Sequence, residues 1–197
     1  MMTSPGDPTA ELVDAVEAYR ESSNVADLLE RLTSIIERAD VDTLIAAVEP
    51  YHEVPEVAGP VYERVVQERP TDARALVILA NAYWLSGRGP DVVGDLASRA
   101  LAADPSHRGA WHLWALTESE PRARMTRWQQ VSERFPQDEL ARAMLADMAT
   151  SVAYEEHDPD ALHLAITSYE SLLATARHPD QRSALESALT TLRGWKM

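Results

Sequence analysis

Four consecutive polar residues, Glu155 to Asp158 with His157 among them, have side chains that could bind a metal ion. Carboxylates and imidazole are common ligands of divalent metals. Consecutive residues on a helix point in different directions, however, and no second histidine lies four residues from His157. The sequence therefore predicts a solvated helix end at this position, and it predicts neither a metal site nor a cofactor.

Residue patterns that carry catalytic chemistry are missing from the sequence. There is no glycine-rich phosphate loop, no H-E-x-x-H zinc motif and no G-x-S-x-G nucleophile motif. The chain contains no cysteine, which excludes disulfides, thiolate nucleophiles and cysteine-ligated metals. We therefore expect a protein that is not an enzyme.

Tryptophan and arginine side chains concentrate in the middle of the chain. The cluster comprises Trp84, Trp111, Trp114, Trp128, Arg122, Arg124 and Arg127. These residue types are enriched at the centres of protein interfaces, which is one interpretation of the cluster. The other interpretation is that the rings belong to the core and the arginines to a solvated face.

The formal net charge of −14 argues against binding to nucleic acid or to anionic lipid, because both require an excess of positive charge. No stretch approaches the roughly 18–20 apolar residues of a membrane span, so membrane insertion is not expected. The N-terminal residues lack the basic and apolar regions of a secretory signal. These observations favour a cytoplasmic protein.

Helix signals follow one another along the chain, and strand signals are almost absent. Prolines stand about 15–20 residues apart, at the boundaries between segments with an apolar period near 3.6. We predict a short flexible N-terminus over residues 1–7 and then about eleven antiparallel helices. The predicted helices span 8–22, 24–38, 40–51, 55–68, 72–86, 90–103, 107–118, 121–134, 138–156, 159–176 and 179–194.

A spacing repeats before three of the prolines, Pro70, Pro105 and Pro136. In each case residues at offsets −12, −8 and −5 occupy equivalent positions, such as Val93, Ala97 and Ala100 before Pro105. Self-similarity at a fixed period indicates stacked structural repeats, because a single helix pair cannot bury its own apolar face. The best repeats are 39–71, 73–106 and 107–136, and a looser one covers 138–177.

The repeat pattern resembles the tetratricopeptide repeat. In 73–106 the match includes Leu76, Leu79, Ala80 and Tyr83 in the first helix and Val93, Ala97, Ala100 and Pro105 in the second. The resemblance implies an all-α fold, a right-handed α-α superhelix that forms one domain over residues 8–197. The helix at 179–194 is then expected to be a C-terminal capping helix.

The resemblance also implies a binding surface, the concave groove lined by the first helix of each pair. Its residues in this sequence are then Arg74, Val77, Asn81, Trp84, His112 and Leu116. An aromatic ring beside amide and guanidinium donors suits the capture of a peptide. The other interpretation of Trp84 is that it packs against the next helix pair.

Three functions remain open at this point. The first is a scaffold or adaptor that binds a peptide or protein segment in the groove. The second is an acidic holding chaperone for export or complex assembly. The third is a structural subunit that self-associates as a homodimer through its tryptophan-rich face.

Overall fold

The computed structural model describes residues 6–196, and these residues contain eleven α-helices and no β-strand. The α-helices are α1 Pro8–Ser22, α2 Val25–Arg38, α3 Val41–Val48, α4 Pro55–Glu68, α5 Ala73–Leu85, α6 Pro90–Ala103, α7 Arg108–Leu116, α8 Pro121–Arg134, α9 Glu139–Glu156, α10 Pro159–Thr175 and α11 Pro179–Arg193. One 3₁₀ turn, Glu49–Tyr51, follows α3. The predicted number and order of helices are confirmed, whereas most of the predicted flexible segment 1–7 lies outside the described residues.

The helix starts explain why the boundaries could be predicted so closely. Six of the α-helices carry proline in their first turn, where its missing N–H breaks no hydrogen bond. Polar residues precede many of them and accept a hydrogen bond from the first turn, as Asp72 does from the Ala75 N–H at 3.0 Å. None of the helices in the described part of the chain is long and apolar enough to cross a membrane.

The helices group into two compact units, one up to Leu113 and the other from Trp114 onward, so the division falls within α7. In the first unit α1 packs on α2, α3 on α4, and α5 on both α4 and α6. In addition α1 packs on α3 and α2 packs on α4. The first two pairs therefore stack first helix on first helix and second on second, and the third pair joins them through the contact of α5 with α4.

Small residues allow the helices of the first unit to approach closely. Gly59 in α4 is buried, and a Cβ atom there would lie 4.0 Å from the Cβ of Ala82 in α5. At Gly109 in α7 a Cβ would lie 3.2 Å from Cγ1 of Val77, closer than most packed Cβ atoms. A larger residue at Gly109 would displace Val77 or its helix.

The second unit packs α9 against α8 and α10, and α10 against α11. Its core includes Trp128 of α8, which is 2% exposed, and Leu145 of α9. The last helix buries Leu189 and Leu192 and exposes polar residues on its other side. The roles of α11 as a cap and of the two units as a single domain stay predictions.

Candidate functional site

The C-terminal half of α5 presents apolar side chains to solvent. Leu85 is 65% exposed and Trp84 is 38% exposed, although both belong to residue types that are usually buried. The same helix buries Leu76 and Leu79 on its inner side. A helix that exposes large apolar residues at one end is a candidate contact surface for another molecule.

Two of the six residues predicted for the groove line one cleft. They are Asn81 and Trp84, and the cleft lies at the end of α5. Val77 is buried, and the predicted residues on α7, His112 and Leu116, are half-buried. The part that these three play in binding stays a prediction.

Arg74, at the start of α5, has a structural partner. Its Nη2 donates to the Oε1 and Oε2 atoms of Glu49 at 2.5 and 2.7 Å. This hydrogen bond holds the pKa of Arg74 above its usual value, with the opposite charge of Glu49 contributing as well. The pair ties the start of α5 to the 3₁₀ turn after α3.

The cleft at the end of α5 has a volume of about 450 Å³. It is lined by His52, Glu53, Pro55, Ile78, Asn81, Ala82, Trp84 and Leu85. The residues from α5 form one wall, and the connection into α4 forms the other. The lining combines apolar surface with a few polar groups, which is the usual composition of a ligand site.

The polar groups of this cleft offer both donors and acceptors. His52 Nδ1 lies 2.7 Å from the carbonyl oxygen of Glu49, which can only accept, so Nδ1 carries a proton. In the neutral ring the Nε2 atom is then an acceptor, and it lies 4.0 Å from a carboxylate oxygen of Glu53. The amide of Asn81 supplies a donor and an acceptor. An extended peptide backbone, which offers both kinds of group, matches such a surface.

Sequence reasoning missed Leu85, His52 and Glu53. Leu85 lies four residues after Asn81, so helical periodicity places the two on one face and could have revealed it. His52 and Glu53 belong to a connection between helices, and their position beside α5 depends on how α4 and α5 pack. No local pattern carries that information.

A second and larger cleft of about 720 Å³ is lined by residues of α4 and α6, and by Tyr83 of α5. Three of its polar groups contact one another: the Tyr83 hydroxyl donates to Glu63 at 2.6 Å, and Arg88 lies 3.7 Å from the same carboxylate. The Arg88 guanidinium also stands 4.4 Å from the centre of the Tyr83 ring. Burial and the bond to Glu63 raise the pKa of Tyr83 to about 12. We therefore regard this cleft as a structural contact between helices.

The arginines of the tryptophan-rich cluster bind within the second unit. The Arg127 guanidinium stands 4.5 Å from the centre of the Trp114 ring, donates to the Trp114 carbonyl oxygen at 2.7 Å and pairs with Glu118 at 2.6 Å. Arg124 donates to the carbonyl oxygen of Glu118. Because Trp128 is also buried, these contacts favour the core interpretation for Trp114, Trp128 and their arginines, whereas Trp84 is exposed.

Arg122 binds two carboxylates of the segment Glu155 to Asp158, the segment considered above as a metal site. This side chain donates to Glu156 at 2.9 Å and to Asp158 at 2.6 Å. The bond from Arg122, together with that from the Ala161 N–H, holds the pKa of Asp158 below its usual value. Within residues 6–196, no three histidine or acidic side chains form a group suited to a metal ion.

His157, the remaining member of that segment, ends α9. Its backbone is left-handed, with a φ of 53°, and its N–H donates to the carbonyl oxygen of Ala153. This is a common conformation at a helix C-terminus, although glycine adopts it more easily. The segment therefore ends one helix and caps the next.

No protein-family model matches the sequence, and no curated protein matches it. Solved structures do resemble the chain in fold. A crystal structure of MamA protein aligns over 89% of this chain and 100% of its own, with a TM-score of 0.60 at 16% identity. A MamA RS-1 double mutant aligns over 94% of this chain and 98% of its own, with a TM-score of 0.57 at 13% identity.

A thermophilic tetratricopeptide-repeat protein of Thermus thermophilus also aligns, over 93% of this chain and 99% of its own. The TM-score is 0.52 and the identity is 16%, so the likeness is one of fold. It agrees with the repeat spacing in the sequence and with the stacking of helix pairs in the first unit. The chain therefore has an all-α fold of the tetratricopeptide-repeat type, as the sequence predicted.

Proposed function

We propose that this protein is an interaction scaffold that binds a peptide or protein segment in the cleft at the end of α5. The observation that carries the proposal is the exposure of Trp84 and Leu85 on the wall of a cleft of about 450 Å³. Burying large apolar side chains against a partner provides the main favourable free energy of most protein associations.

The polar groups of the cleft support a peptide as the ligand. Asn81 and His52 can pair with the main chain of an extended segment, and an apolar side chain of that segment can contact Ile78 and Ala82. Arg74 and Val77 lie outside this cleft, so the proposal rests on Asn81 and Trp84 among the predicted residues. A cytoplasmic location remains a prediction.

The experiment is a selection of a displayed random-peptide library on the whole chain, followed by binding measurements on the enriched peptides. We expect Trp84→Ala to weaken binding by roughly tenfold or more, as for an interface hot spot, and Asn81→Ala to weaken it less. Leu140→Ala is the matched control, because Leu140 is 55% exposed on α9 and does not line the cleft. It should bind as the wild type does.

The outcome also tests the assignment of these residues. Far-UV circular dichroism of Trp84→Ala and Asn81→Ala should match that of the wild type, since both residues are exposed. Equal peptide binding by wild type and Trp84→Ala would contradict the proposal, and so would unfolding of both variants.

The two alternatives predict different results from the same protein. A self-associating subunit would show a dimer by light scattering that Trp84→Ala converts to monomer. A holding chaperone would bind unfolded clients in preference to short peptides and would be more stable with the client bound. The scaffold should be monomeric and should bind short segments.

A further inference from the structure

Two aromatic side chains meet at the end of the second unit. Tyr154, in the last turn of α9, is 69% exposed, and the centre of its ring lies 5.7 Å from that of Trp195, which follows α11. The ring planes are inclined at 54°, so the two rings are in a tilted contact. A tyrosine this exposed contributes little to a core, and neither ring belongs to the α5 cleft.

The two rings line a cleft of about 440 Å³ together with Glu155, His157 and Lys196. Aromatic faces carry partial negative charge and attract cations. Glu155 adds a carboxylate, and its neighbour Glu156 is already bonded to Arg122. The cleft also adjoins the C-terminal end of α9, which is the negative end of that helix dipole.

We propose that this cleft binds an organic ammonium ion, with an alkylated ammonium group against the Tyr154 and Trp195 rings and Glu155 as the counter-charge. Alkylated ammonium groups are only weakly hydrated, so they lose little on leaving water for an aromatic surface. Such a group occurs in free quaternary ammonium compounds and in methylated lysine side chains. This proposal is independent of the α5 cleft, because it uses no residue of the first unit.

Lys196 has a defined part in the proposal. Lys196 lines the cleft, so its positive charge should disfavour an incoming cation. Its removal should therefore strengthen binding, whereas its removal from a site for an anion would weaken binding. The sign of this one effect separates a cation site from an anion site.

The experiment is an NMR titration of the whole chain with tetramethylammonium chloride, read at the indole N–H of Trp195. Neopentyl alcohol, a neutral molecule of nearly the same shape, is the matched probe, and sodium chloride controls for ionic strength. We expect a saturable shift with tetramethylammonium and none with sodium chloride. A shift of equal size and midpoint with neopentyl alcohol would overturn the proposal, because the site would then be only apolar.

Four variants sharpen the test. Tyr154→Ala should weaken binding about tenfold, whereas Tyr154→Phe keeps an aromatic face and should stay within about twofold of wild type. Glu155→Gln should weaken binding about threefold, and Lys196→Gln should strengthen it about twofold. Leu140→Ala, at the other end of α9, should leave binding unchanged.

Folding does not obscure these results. The exposure of Tyr154 predicts that its variants keep the melting temperature of the wild type. If Tyr154→Ala has a lower melting temperature than the wild type, the opposite effects of Glu155→Gln and Lys196→Gln on affinity still test whether the cleft binds a cation. Wild-type affinity in Tyr154→Ala, or weaker binding in Lys196→Gln, would overturn the proposal.

Two peptides identify the source of the ammonium group. They consist of glycine and serine around one central residue, either lysine or trimethyllysine. Tighter binding of the trimethyllysine peptide than of tetramethylammonium supports a methylated protein as ligand, and tighter binding of tetramethylammonium supports a free compound. Peptides that bind equally well with lysine and trimethyllysine would contradict a preference for alkylated ammonium.

Discussion

The two units of this chain share one kind of fold but use their polar side chains differently. Residues up to 113 carry 19 acidic and 9 basic side chains, whereas residues from 114 onward carry 13 and 9. In the first unit, exposed ion pairs such as Arg74 with Glu49 accompany a core that is mostly aliphatic and includes Tyr62. In the second unit, arginines bind several partners at once, as Arg122 binds both Glu156 and Asp158.

The two units differ in which of their side chains are exposed and which are bonded within the unit. In the second unit Arg122, Arg124 and Arg127 bind acidic groups and carbonyl oxygens of the same unit, so this part of it is a structural network. The first unit instead exposes Trp84 and Leu85 at the end of a helix whose other side is core. The sequence places its most conspicuous cluster of aromatic and basic residues in the middle of the chain, yet of these residues only Trp84 belongs to the proposed peptide surface.

Truncating a core leucine in each unit should give the largest effect. Leu76→Ala and Leu145→Ala remove side chains that are 0% and 4% exposed. Each should lower the free energy of unfolding by about 2–5 kcal/mol, because the packed core cannot fully close the cavity. Urea denaturation followed by circular dichroism measures the loss, and the exposed Leu140→Ala should change it by less than about 0.5 kcal/mol.

These variants also test the predicted single domain. If residues 8–197 unfold together, either substitution shifts one common transition. Two transitions, of which Leu76→Ala shifts only the first, would mean that the units are separate domains.

One tyrosine in each unit, Tyr83 and Tyr169, should ionise at a higher pH than an ordinary tyrosine. Tyr83 donates to Glu63 and Tyr169 donates to Asp147, each at 2.6 Å, and burial together with the carboxylate raises both pKa values to about 12. Alkaline titration by tyrosinate absorbance should therefore show Tyr83 and Tyr169 well above the usual pKa of about 10, together with Tyr62, whose pKa is also raised by burial. Tyr83→Phe and Tyr169→Phe should each remove one of them.

The sign of the stability effect follows from the direction of these pKa shifts. The folded state favours the neutral phenol, so its contribution is complete below the unfolded pKa and is lost as the pH rises towards 12. Wild type should consequently lose stability relative to the two phenylalanine variants as the pH rises from about 10 towards 12. A wild type that gains stability relative to them over this range would contradict the assignment.

The smallest effect should come from the two helix ends with left-handed backbone. Ser23 after α1 and His157 after α9 have φ values of 54° and 53°, which glycine adopts without strain. Ser23→Gly and His157→Gly should each stabilise the fold by about 0.5–1 kcal/mol. Melting temperature measures this, and Gly87→Ala is the reverse control, because Gly87 has a φ of 73° and alanine there should destabilise.

The helices were predictable because their signals are local. A proline in the first turn, a capping aspartate and an apolar period act within a few residues, so the start of α4 at Pro55 and that of α10 at Pro159 can be identified from the sequence. The repeat spacing before Pro70, Pro105 and Pro136 also indicated the type of fold. The solved structures that resemble the chain confirm that part.

The candidate site was predictable only in part. Trp84 and Asn81 follow from their repeat positions, but their exposure and the cleft that they share with His52 depend on the packing of α4 against α5. The partners of Arg122 lie 34 and 36 residues away in the chain, and no periodicity relates them. Likewise Tyr154 and Trp195 meet because α11 packs on α10 and α10 on α9.

The sequence by itself determined the all-α fold, the order and limits of the helices, and the absence of familiar catalytic motifs. Backbone hydrogen bonding, capping and the burial of one helix face act over short distances, which is why they can be read from residue order. Only the tertiary structure decided which aromatic residues are exposed, which arginines are already bonded, and which side chains share a cleft. Those properties depend on contacts between helices distant in the chain.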